Sequence, residues 1–170
     1  MKRIYLLRHA KSDWSADFEA DHERPLNKRG RVAAQQIGRF LTVVEQAPDL
    51  VVTSSAVRAG ETVELAMAAG SWACPVEVTR DLYASSPSAV MHLVQAFAGS
   101  HDSLLLVGHE PTWSELASAL IGGGHVKLPT AALARIDFDV ESWAEVEFGA
   151  GILIWVVTPK LLARLGLAVE

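Results

Sequence analysis

The chain has 170 residues, of which 50% are apolar and 21% are charged, and its formal net charge at pH 7 is −5. This length and composition are typical of one domain with one well-filled core, so we expect residues 1–170 to form a single domain. The longest strongly apolar run, residues 152–157, falls far short of the roughly 20 residues that a membrane-spanning helix requires. The acidic balance argues against nucleic acids and anionic membranes as partners. We therefore expect a soluble protein.

Cysteine usage and charge distribution narrow the compartment and the kind of ligand. The single cysteine, Cys74, excludes an intramolecular disulfide and a cysteine-rich metal site. Only four apolar residues separate Arg3 from Arg8, too few for an export signal, so we expect a reducing cytoplasm. Residues 1–31 carry a net charge of +3 and the remainder carries −8. A locally basic segment on an acidic protein favours a small anionic ligand over a polyanion.

Strands and helices alternate along the chain in the predicted secondary structure. The strands are short runs of aliphatic and β-branched residues, and the helices carry apolar residues at three- and four-residue spacing. The first half of the chain predicts a strand at 2–7, a helix capped by Asn27 and running to about Val44, a strand at 49–53, and a helix capped by Ser54 or Ser55 and ending near Gly70. A strand at 76–79, a helix from Ser86 to about Ala98, a strand at 104–107 and a helix from Pro111 to about Ile121 follow. The last part predicts a glycine turn at 122–124, strands at 131–138 and 152–157, and a short terminal helix. This order predicts an α/β fold, a three-layer sandwich with a mostly parallel central sheet.

Three polar clusters follow predicted strands, at the point where each strand ends. They are Arg8-His9, residues 54–58 with Arg58 at their end, and His109-Glu110. Because ligands bind at the carboxyl ends of strands in open α/β sheets, we expect the three clusters to converge on one edge. Two of them also open helices, whose first N–H groups attract anions. Two arginines and two histidines there predict a pocket for a phosphate-sized dianion, since the arginine fork binds two oxygens at once.

Four motifs around these clusters occur in the order of a known family. They are Arg8-His9-Ala10, Arg24-Pro25-Leu26-Asn27 with Gly30, Ser54-x-x-x-Arg58-Ala59-x-x-Thr62, and Val107-Gly108-His109-Glu110-Pro111. The ordered set spans roughly residues 2–140. It resembles the histidine phosphatase superfamily of phosphoglycerate-mutase-like proteins, and within it the SixA branch. The resemblance implies a phosphoglycerate-mutase-like fold and phosphatase activity.

The resemblance also implies a role for each residue of the pocket. His9 would be the nucleophile that accepts the phosphoryl group, because a neutral imidazole has a free lone pair at neutral pH. Flanking arginines would favour the uncharged ring further. Arg8, Arg58 and His109 would bind the phosphoryl oxygens and offset charge in the transition state. Water would then hydrolyse the phosphohistidine, with no metal and no other cofactor.

The chain departs from the family pattern at the proton donor. Many members carry a glutamate after the third strand, where this chain has Asp81-Leu82-Tyr83-Ala84, so Asp81 and Glu110 are the candidate replacements. Without a strong acid, alkyl phosphate esters are disfavoured, whereas phosphohistidine can lose a neutral imidazole. The site also lacks a long insertion above it, which leaves room for a protein side chain. These features favour a SixA-like phosphohistidine phosphatase in signalling that acts on a phosphorylated protein, for example a histidine-phosphotransfer protein.

Other functions stay open at this point. A small-molecule phosphomonoesterase or a mutase would belong to the same superfamily, although a mutase needs more cationic contacts and a firm acid. A non-catalytic phospho-ligand binding module is a different class, and the intact His9 argues against it. A metal protein is disfavoured because neither His9 nor His109 has a second ligand within four residues on the same face. Trp14 is a candidate rim contact to the substrate, and the charged stretch 17–24 is predicted to be a solvated loop.

Overall fold

The computed structural model describes residues 1–97 and 99–166, and strands and helices alternate along them as predicted. In chain order the elements are β1 (Lys2–Arg8), α1 (Lys28–Val43), β2 (Leu50–Ser54), α2 (Val57–Gly70), β3 (Val76–Thr79), α3 (Pro87–Gln95), β4 (Ser103–Gly108), α4 (Thr112–Leu120), β5 (Leu133–Phe138), β6 (Ile152–Val157) and α5 (Pro159–Arg164). The predicted order is confirmed, with small shifts at the ends of elements. The predicted end of α3 at Ala98 lies outside the described residues.

The strands of the described residues form one six-stranded sheet in the order β3-β2-β4-β1-β5-β6. β3, β2, β4 and β1 are parallel neighbours, whereas β5 runs antiparallel to β1 and β6 antiparallel to β5. This mixed, mostly parallel sheet confirms the predicted α/β class. The register sets Arg8 of β1 beside Gly108 of β4, and Thr53 of β2 beside Val107 of β4. The carboxyl ends of these three strands therefore meet at one edge of the sheet.

Helices cover both faces of the sheet. Successive strand residues point to opposite faces. Tyr5 and Leu7 pack in one core cluster with residues of α1, α2 and α5, and Ile4 and Leu6 pack in the other with residues of α3 and α4. All four strand residues are at most 1% exposed. The result is the predicted three-layer sandwich, and burial on both faces explains why the central strands β2 and β4 are mostly apolar.

Two of the predicted helix caps are present. Asn27 accepts a hydrogen bond from the backbone N–H of Gly30 at 2.9 Å and begins α1. Ser86 accepts one from Ala89 at 3.3 Å and begins α3. Each cap satisfies a backbone N–H that has no partner inside the helix. The start of α1 matters most for the site, because this turn packs against the loop that follows β1.

The cap of α2 differs from the prediction. Its N-cap residue is Ala56, which has no side chain able to accept a hydrogen bond. The hydroxyl of Ser54 lies 2.8 Å from Nε2 of His109, and the hydroxyl of Ser55 lies 2.8 Å from Nε2 of His22. The prediction that Ser54 or Ser55 caps this helix is wrong, because the helix begins at Val57 and both serines precede its N-cap residue.

The predicted glycine turn at 122–124 has the backbone that requires glycine. The φ angles of its three residues are 84°, 127° and 83°, in the left-handed region. No helix among the described residues is long and apolar enough to cross a membrane.

Candidate active site

His9 follows the last residue of β1, and its neighbours set its orientation. Its backbone N–H donates to the carbonyl oxygen of Gly108 at 3.0 Å, and its Nδ1 lies 2.7 Å from the carbonyl oxygen of Ala10. Because a carbonyl oxygen only accepts, Nδ1 carries the ring proton and Nε2 keeps its lone pair. Nε2 receives a hydrogen bond from Nε of Arg58 at 3.3 Å. The buried ring of His9 therefore presents an unprotonated nitrogen beside a guanidinium group.

Burial lowers the pKa of both histidines at this edge. The pKa of His9 falls to about 3, first because of burial and then because of the charges around it, including those of Arg58 and Arg8. The pKa of His109 falls to about 4, again because of burial first and then because of the charge of Arg58. Both rings are therefore neutral at pH 7. A neutral imidazole is the form that can act as a nucleophile.

Arg8 and His109 each contain a buried nitrogen, Nε and Nδ1 respectively, with no hydrogen-bond partner among the described residues. Of their other nitrogens, Nη1 of Arg8 donates to the carbonyl oxygen of Leu128 at 3.0 Å, and Nε2 of His109 lies 2.8 Å from the Ser54 hydroxyl. The ring centroids of His109 and His9 are 5.0 Å apart. An unpaired buried polar group costs roughly 1–3 kcal/mol, so these atoms are candidates to bind a ligand.

Asp21 joins the cations of the site, although it is not among the residues predicted from the sequence. Its carboxylate accepts hydrogen bonds from Nη2 of Arg58 at 3.0 Å, from Nη2 of Arg24 at 2.7 Å and from the hydroxyl of Tyr83 at 3.1 Å. Its backbone carbonyl accepts a further one from Nη1 of Arg58 at 2.6 Å. Partial burial raises the pKa of Asp21, but the two arginines and Tyr83 outweigh that effect and lower it to about 2. The carboxylate is therefore charged at neutral pH and holds Arg58 in place.

The sequence around Asp21 contains one signal that could have identified it. The residues Asp21–Glu23 form a 3-10 turn, so the stretch 17–24, predicted to be a solvated loop, contains regular secondary structure. Arg24 directly after the turn is 6% exposed, and its Nη1 donates to the hydroxyl of Ser12. A buried arginine needs a carboxylate partner, and Asp21 stands three residues before Arg24. The Arg24-Pro25-Leu26 motif thus pointed to a neighbouring acid.

Tyr83, rather than Asp81, reaches the site after β3. The ring of Tyr83 lies edge-on to the ring of His109, with centroids 5.4 Å apart and an interplanar angle of 86°. Asp81 belongs to the 3-10 turn Arg80–Leu82, is exposed, and lines a different cavity. The turn thus brings Tyr83 and not Asp81 against His109, although both residues line that other cavity, and a role of Asp81 as the acid stays a prediction.

The strand ends surround an open cavity of about 450 Å³, which we call the catalytic cavity. All four predicted site residues line it, together with cations and carboxylates from the loops. The charged and histidine side chains in its wall are Arg8, His9, Lys11, Asp21, Arg24, Arg58, His109 and Glu110. Four of these side chains are cationic and two are carboxylates, so the cavity suits an anion. The predicted convergence of the three clusters is therefore present in the structure.

Comparison with known proteins agrees with this geometry. A family model described as the histidine phosphatase superfamily (branch 1) matches residues 4–84. An uncharacterized protein of Mycobacterium tuberculosis is 34% identical, in an alignment that covers 91% of this chain and 100% of that protein. The chain belongs to the histidine phosphatase superfamily. The family relationship and the structural neighbours support phosphatase activity.

Solved structures of SixA proteins share the fold. The SixA protein of Agrobacterium tumefaciens is 29% identical, with a TM-score of 0.77 and coverage of 93% of this chain and 98% of that one. A protein histidine phosphatase SixA complexed with tungstate is 23% identical, with a TM-score of 0.82 and coverage of 94% and 99%. This histidine phosphatase therefore has the phosphoglycerate-mutase-like fold that its motifs implied, and it is similar to the SixA type.

Glu110, the second candidate acid, lines the catalytic cavity of this histidine phosphatase. Its Oε1 accepts hydrogen bonds from the backbone N–H of Ser114 at 3.1 Å and from the hydroxyl of Ser114 at 2.8 Å. These bonds tie the carboxylate to the first turn of α4. Burial lowers the pKa of Arg8, and the charge of Glu110 opposes that shift. Glu110 is thus within the cavity wall, with its Oε1 bound to Ser114.

Trp14 lies at the mouth of the catalytic cavity of the histidine phosphatase. It is 73% exposed, and the guanidinium carbon of Arg24 lies 3.7 Å from its ring centroid. A contact between Trp14 and the substrate stays a prediction. In the part of the chain that the structure describes, no group of three or more His, Cys, Asp or Glu side chains is arranged to hold a metal ion.

Proposed function

We propose that this histidine phosphatase removes the phosphoryl group from phosphohistidine on a protein and carries it transiently on His9. The observation that carries the proposal is the unprotonated Nε2 of His9, whose Nδ1 is tied to Ala10 and which lies 3.3 Å from Nε of Arg58. Nucleophilic phosphoryl transfer needs such a lone pair beside groups that bind the phosphoryl oxygens. One SixA structure holds tungstate, a tetrahedral oxyanion like phosphate, which supports a small anion in the corresponding cavity.

In the first step the lone pair of His9 Nε2 attacks the phosphorus atom, and the P–N bond of the substrate breaks. Arg8, Arg58 and His109 bind the equatorial oxygens and offset the negative charge of the transition state. The phosphoryl oxygens offer partners to the nitrogens of Arg8 and His109 that lack one within the described residues. The phosphohistidine reacts with its other ring nitrogen protonated, so the leaving imidazole takes the electron pair of the P–N bond, keeps that proton and departs as a neutral molecule.

In the second step water attacks the phosphoryl group on His9. The P–N bond breaks, its electron pair returns to Nε2, and inorganic phosphate leaves with both protons of the water, so that His9 keeps only its Nδ1 proton. The hydrogen bond from Nδ1 to Ala10 keeps the ring in one tautomer and one orientation through both steps. Asp21 keeps the guanidinium of Arg58 aligned, so that the cation need not reorganise when charge develops.

The proton donors around the catalytic cavity favour phosphohistidine over an alkyl phosphate ester. An alkoxide leaving group needs a positioned acid, whereas phosphohistidine does not. Glu110 is bound to Ser114, and Asp81 lines a different cavity. The exposed Trp14 at the mouth leaves the cavity accessible to a side chain of another protein. The same proposal assigns the enzyme to cytoplasmic signalling, with a histidine-phosphotransfer protein as the class of partner.

The test is phosphate release from a phosphohistidine-bearing protein at neutral pH, with phosphoserine and a sugar phosphate as competing substrates. We expect the wild type to prefer the phosphohistidine protein and His9→Ala and His9→Asn to release no phosphate. His125→Asn changes an exposed histidine outside the cavity wall and serves as the matched control. Intact-mass measurement at neutral pH should show one phosphoryl group on the wild type during turnover and none on His9→Asn.

Other outcomes would each point to a different function. His9-dependent release that favours the sugar phosphate would make the protein a small-molecule phosphatase. Tight phosphate binding with no release from any substrate would make it a phospho-ligand binding module.

A further inference from the structure

A second cavity, of about 720 Å³, adjoins the catalytic cavity, and the two share Lys11 and Thr130 in their walls. We call it the basic groove. Its wall combines four cations with aliphatic and proline side chains: Lys11, Lys28, Arg29, Lys160, Val32, Ala33, Pro129 and Pro159. No acidic side chain of residues 1–97 and 99–166 lines it.

The four cations of the basic groove have no partner inside the described part of the protein. All four are exposed, and none forms an ion pair with a described residue. Elsewhere on the surface cations do find acids, as in the pairs Lys2–Asp102 and Arg31–Glu61. The chain has 20 acidic residues against 15 basic ones, so composition does not explain a groove lined by cations alone.

Two of these cations stand where helix stability disfavours them. Lys28 and Arg29 occupy the first turn of α1, at the positive end of the helix dipole, and this turn contains no acidic residue. Acidic residues are stabilising in this position and cations are not. The arrangement therefore opposes the stability of α1 and concentrates positive potential at the end of the basic groove nearest Lys11.

The first turn of α1 also ties the basic groove to the catalytic loop. The carbonyl oxygen of Lys11 accepts a hydrogen bond from the backbone N–H of Asn27 at 3.0 Å. A Cβ atom at Gly30 would lie 2.1 Å from the same oxygen, so only glycine allows this close packing. Lys11 follows His9 by two residues. The basic groove is therefore held in a set position relative to the nucleophile.

From these observations, and resting on the proposed function, we infer that the basic groove binds an acidic segment of the phosphoprotein substrate that flanks its phosphohistidine. A phosphohistidine that reaches His9 leaves its own backbone at the mouth of the catalytic cavity, where neighbouring residues meet Lys11 and Thr130. Carboxylates of that segment pair with the four cations, and its aliphatic side chains cover the apolar part of the groove. The basic groove contributes mainly to the rate of association with the substrate, since exposed charge accelerates encounter with an oppositely charged partner.

Three phosphohistidine substrates test this inference. Two are synthetic peptides of equal length, one with glutamate and leucine around the phosphohistidine and one with lysine and leucine. The third is free phosphohistidine, which cannot reach the basic groove. We expect the wild type at low salt to show a kcat/KM about tenfold higher for the acidic peptide than for the basic one.

A charge-reversal variant and its control separate the basic groove from the charge of the whole protein. Lys28→Glu/Arg29→Glu places favoured residues in the first turn of α1, so the fold is expected to tolerate it, and thermal unfolding checks this. Arg39→Glu/Arg164→Glu makes the same change in net charge at exposed positions outside both cavities. The groove variant is expected to lose the preference for the acidic peptide, and the control to keep it. Lys160→Glu is expected to reduce the preference for the acidic peptide about threefold.

The three substrates separate failure of this inference from failure of the proposed function. The inference is overturned if the wild type turns over both peptides equally, if the control loses the preference as well, or if the groove variant loses as much activity on free phosphohistidine as on the acidic peptide. No turnover of any of the three substrates would overturn the proposed function, and the inference with it.

Discussion

The catalytic cavity and the basic groove both collect cations, but they hold them in opposite ways. Arg24 and Arg58 in the catalytic cavity are 6% and 4% exposed, and they share the carboxylate of Asp21. Lys28 and Arg29 in the basic groove are exposed and pair with no described residue. Buried, hydrogen-bonded arginines present donors in a set geometry, whereas exposed side chains present charge without a set geometry.

Under the proposed function, this difference separates catalysis from association. Donors that are already in place stabilise the transition state without reorganising, so their loss lowers kcat. Exposed cations attract a partner over a distance that salt limits to about 10 Å at 0.1 M, so their loss lowers kcat/KM at low salt. Changes in each region are therefore expected to have different kinetic signatures.

The largest effect is expected in the catalytic cavity, from Arg58→Ala. The variant removes the donor beside His9 Nε2 and leaves the charge of Asp21 without one of its partners. We expect kcat on phosphohistidine to fall by about 10²–10³-fold, the usual cost of losing one such donor. Steady-state kinetics with Arg39→Ala as the matched surface control measure it. A rise in KM with kcat unchanged would contradict this prediction, because it would mean that Arg58 acts in substrate association, as the cations of the basic groove are expected to do.

The next effect concerns stability and pH. The pKa of His9 is about 3 in the folded chain against 6.5 ordinarily, so the unfolded chain binds the extra proton between these values. This contribution to stability is fully present above pH 6.5 and is lost progressively as the pH falls towards 3. We expect His9 alone to lower the free energy of unfolding by about 2 kcal/mol between pH 7 and pH 5. Urea unfolding of the wild type and His9→Asn measures it, and equal pH dependence in the two proteins would contradict it.

Asp21→Asn is expected to have opposite effects on chemistry and on anion binding. The substitution removes the charge that aligns Arg58 but makes the catalytic cavity more positive. We expect kcat to fall about tenfold, as for the loss of one charged hydrogen bond, while inhibition by inorganic phosphate becomes stronger. Asp17→Asn, an exposed acid in the same segment, is the control. A parallel weakening of phosphate inhibition would mean that Asp21 does not act by positioning Arg58.

The smallest effect is expected at the rim, from Trp14→Ala. Trp14 is exposed like the cations of the basic groove but stacks on Arg24 of the catalytic cavity. Loss of this cation–π contact is expected to raise KM for a phosphohistidine protein about two- to fivefold and to leave kcat unchanged. Trp14→Phe should keep most of the wild-type value. A fall in kcat for Trp14→Ala would place Trp14 with the catalytic groups instead.

The sequence predicted the elements of the fold well because the signals for them are local. The cap at Asn27 and the periodic apolar residues after it identified α1, and the run at 104–107 identified a central strand. The predicted cap of α2 is wrong because the helix begins at Val57, and the hydroxyls of Ser54 and Ser55 precede its N-cap and lie against histidines from other segments. Local chemistry cannot show which of several neighbouring residues the tertiary fold places at the N-cap.

The sequence by itself determined the α/β architecture and the convergence of Arg8, His9, Arg58 and His109, because apolar spacing defines each element and the carboxyl ends of neighbouring parallel strands share one edge. Only the tertiary structure decided the surroundings of those residues. Asp21 is 37 positions from Arg58 and 62 from Tyr83, and the four cations of the basic groove come from three separate segments. The low pKa of His9 depends on burial by several elements at once. Such contacts depend on distances between segments far apart in the chain, and no local pattern records them.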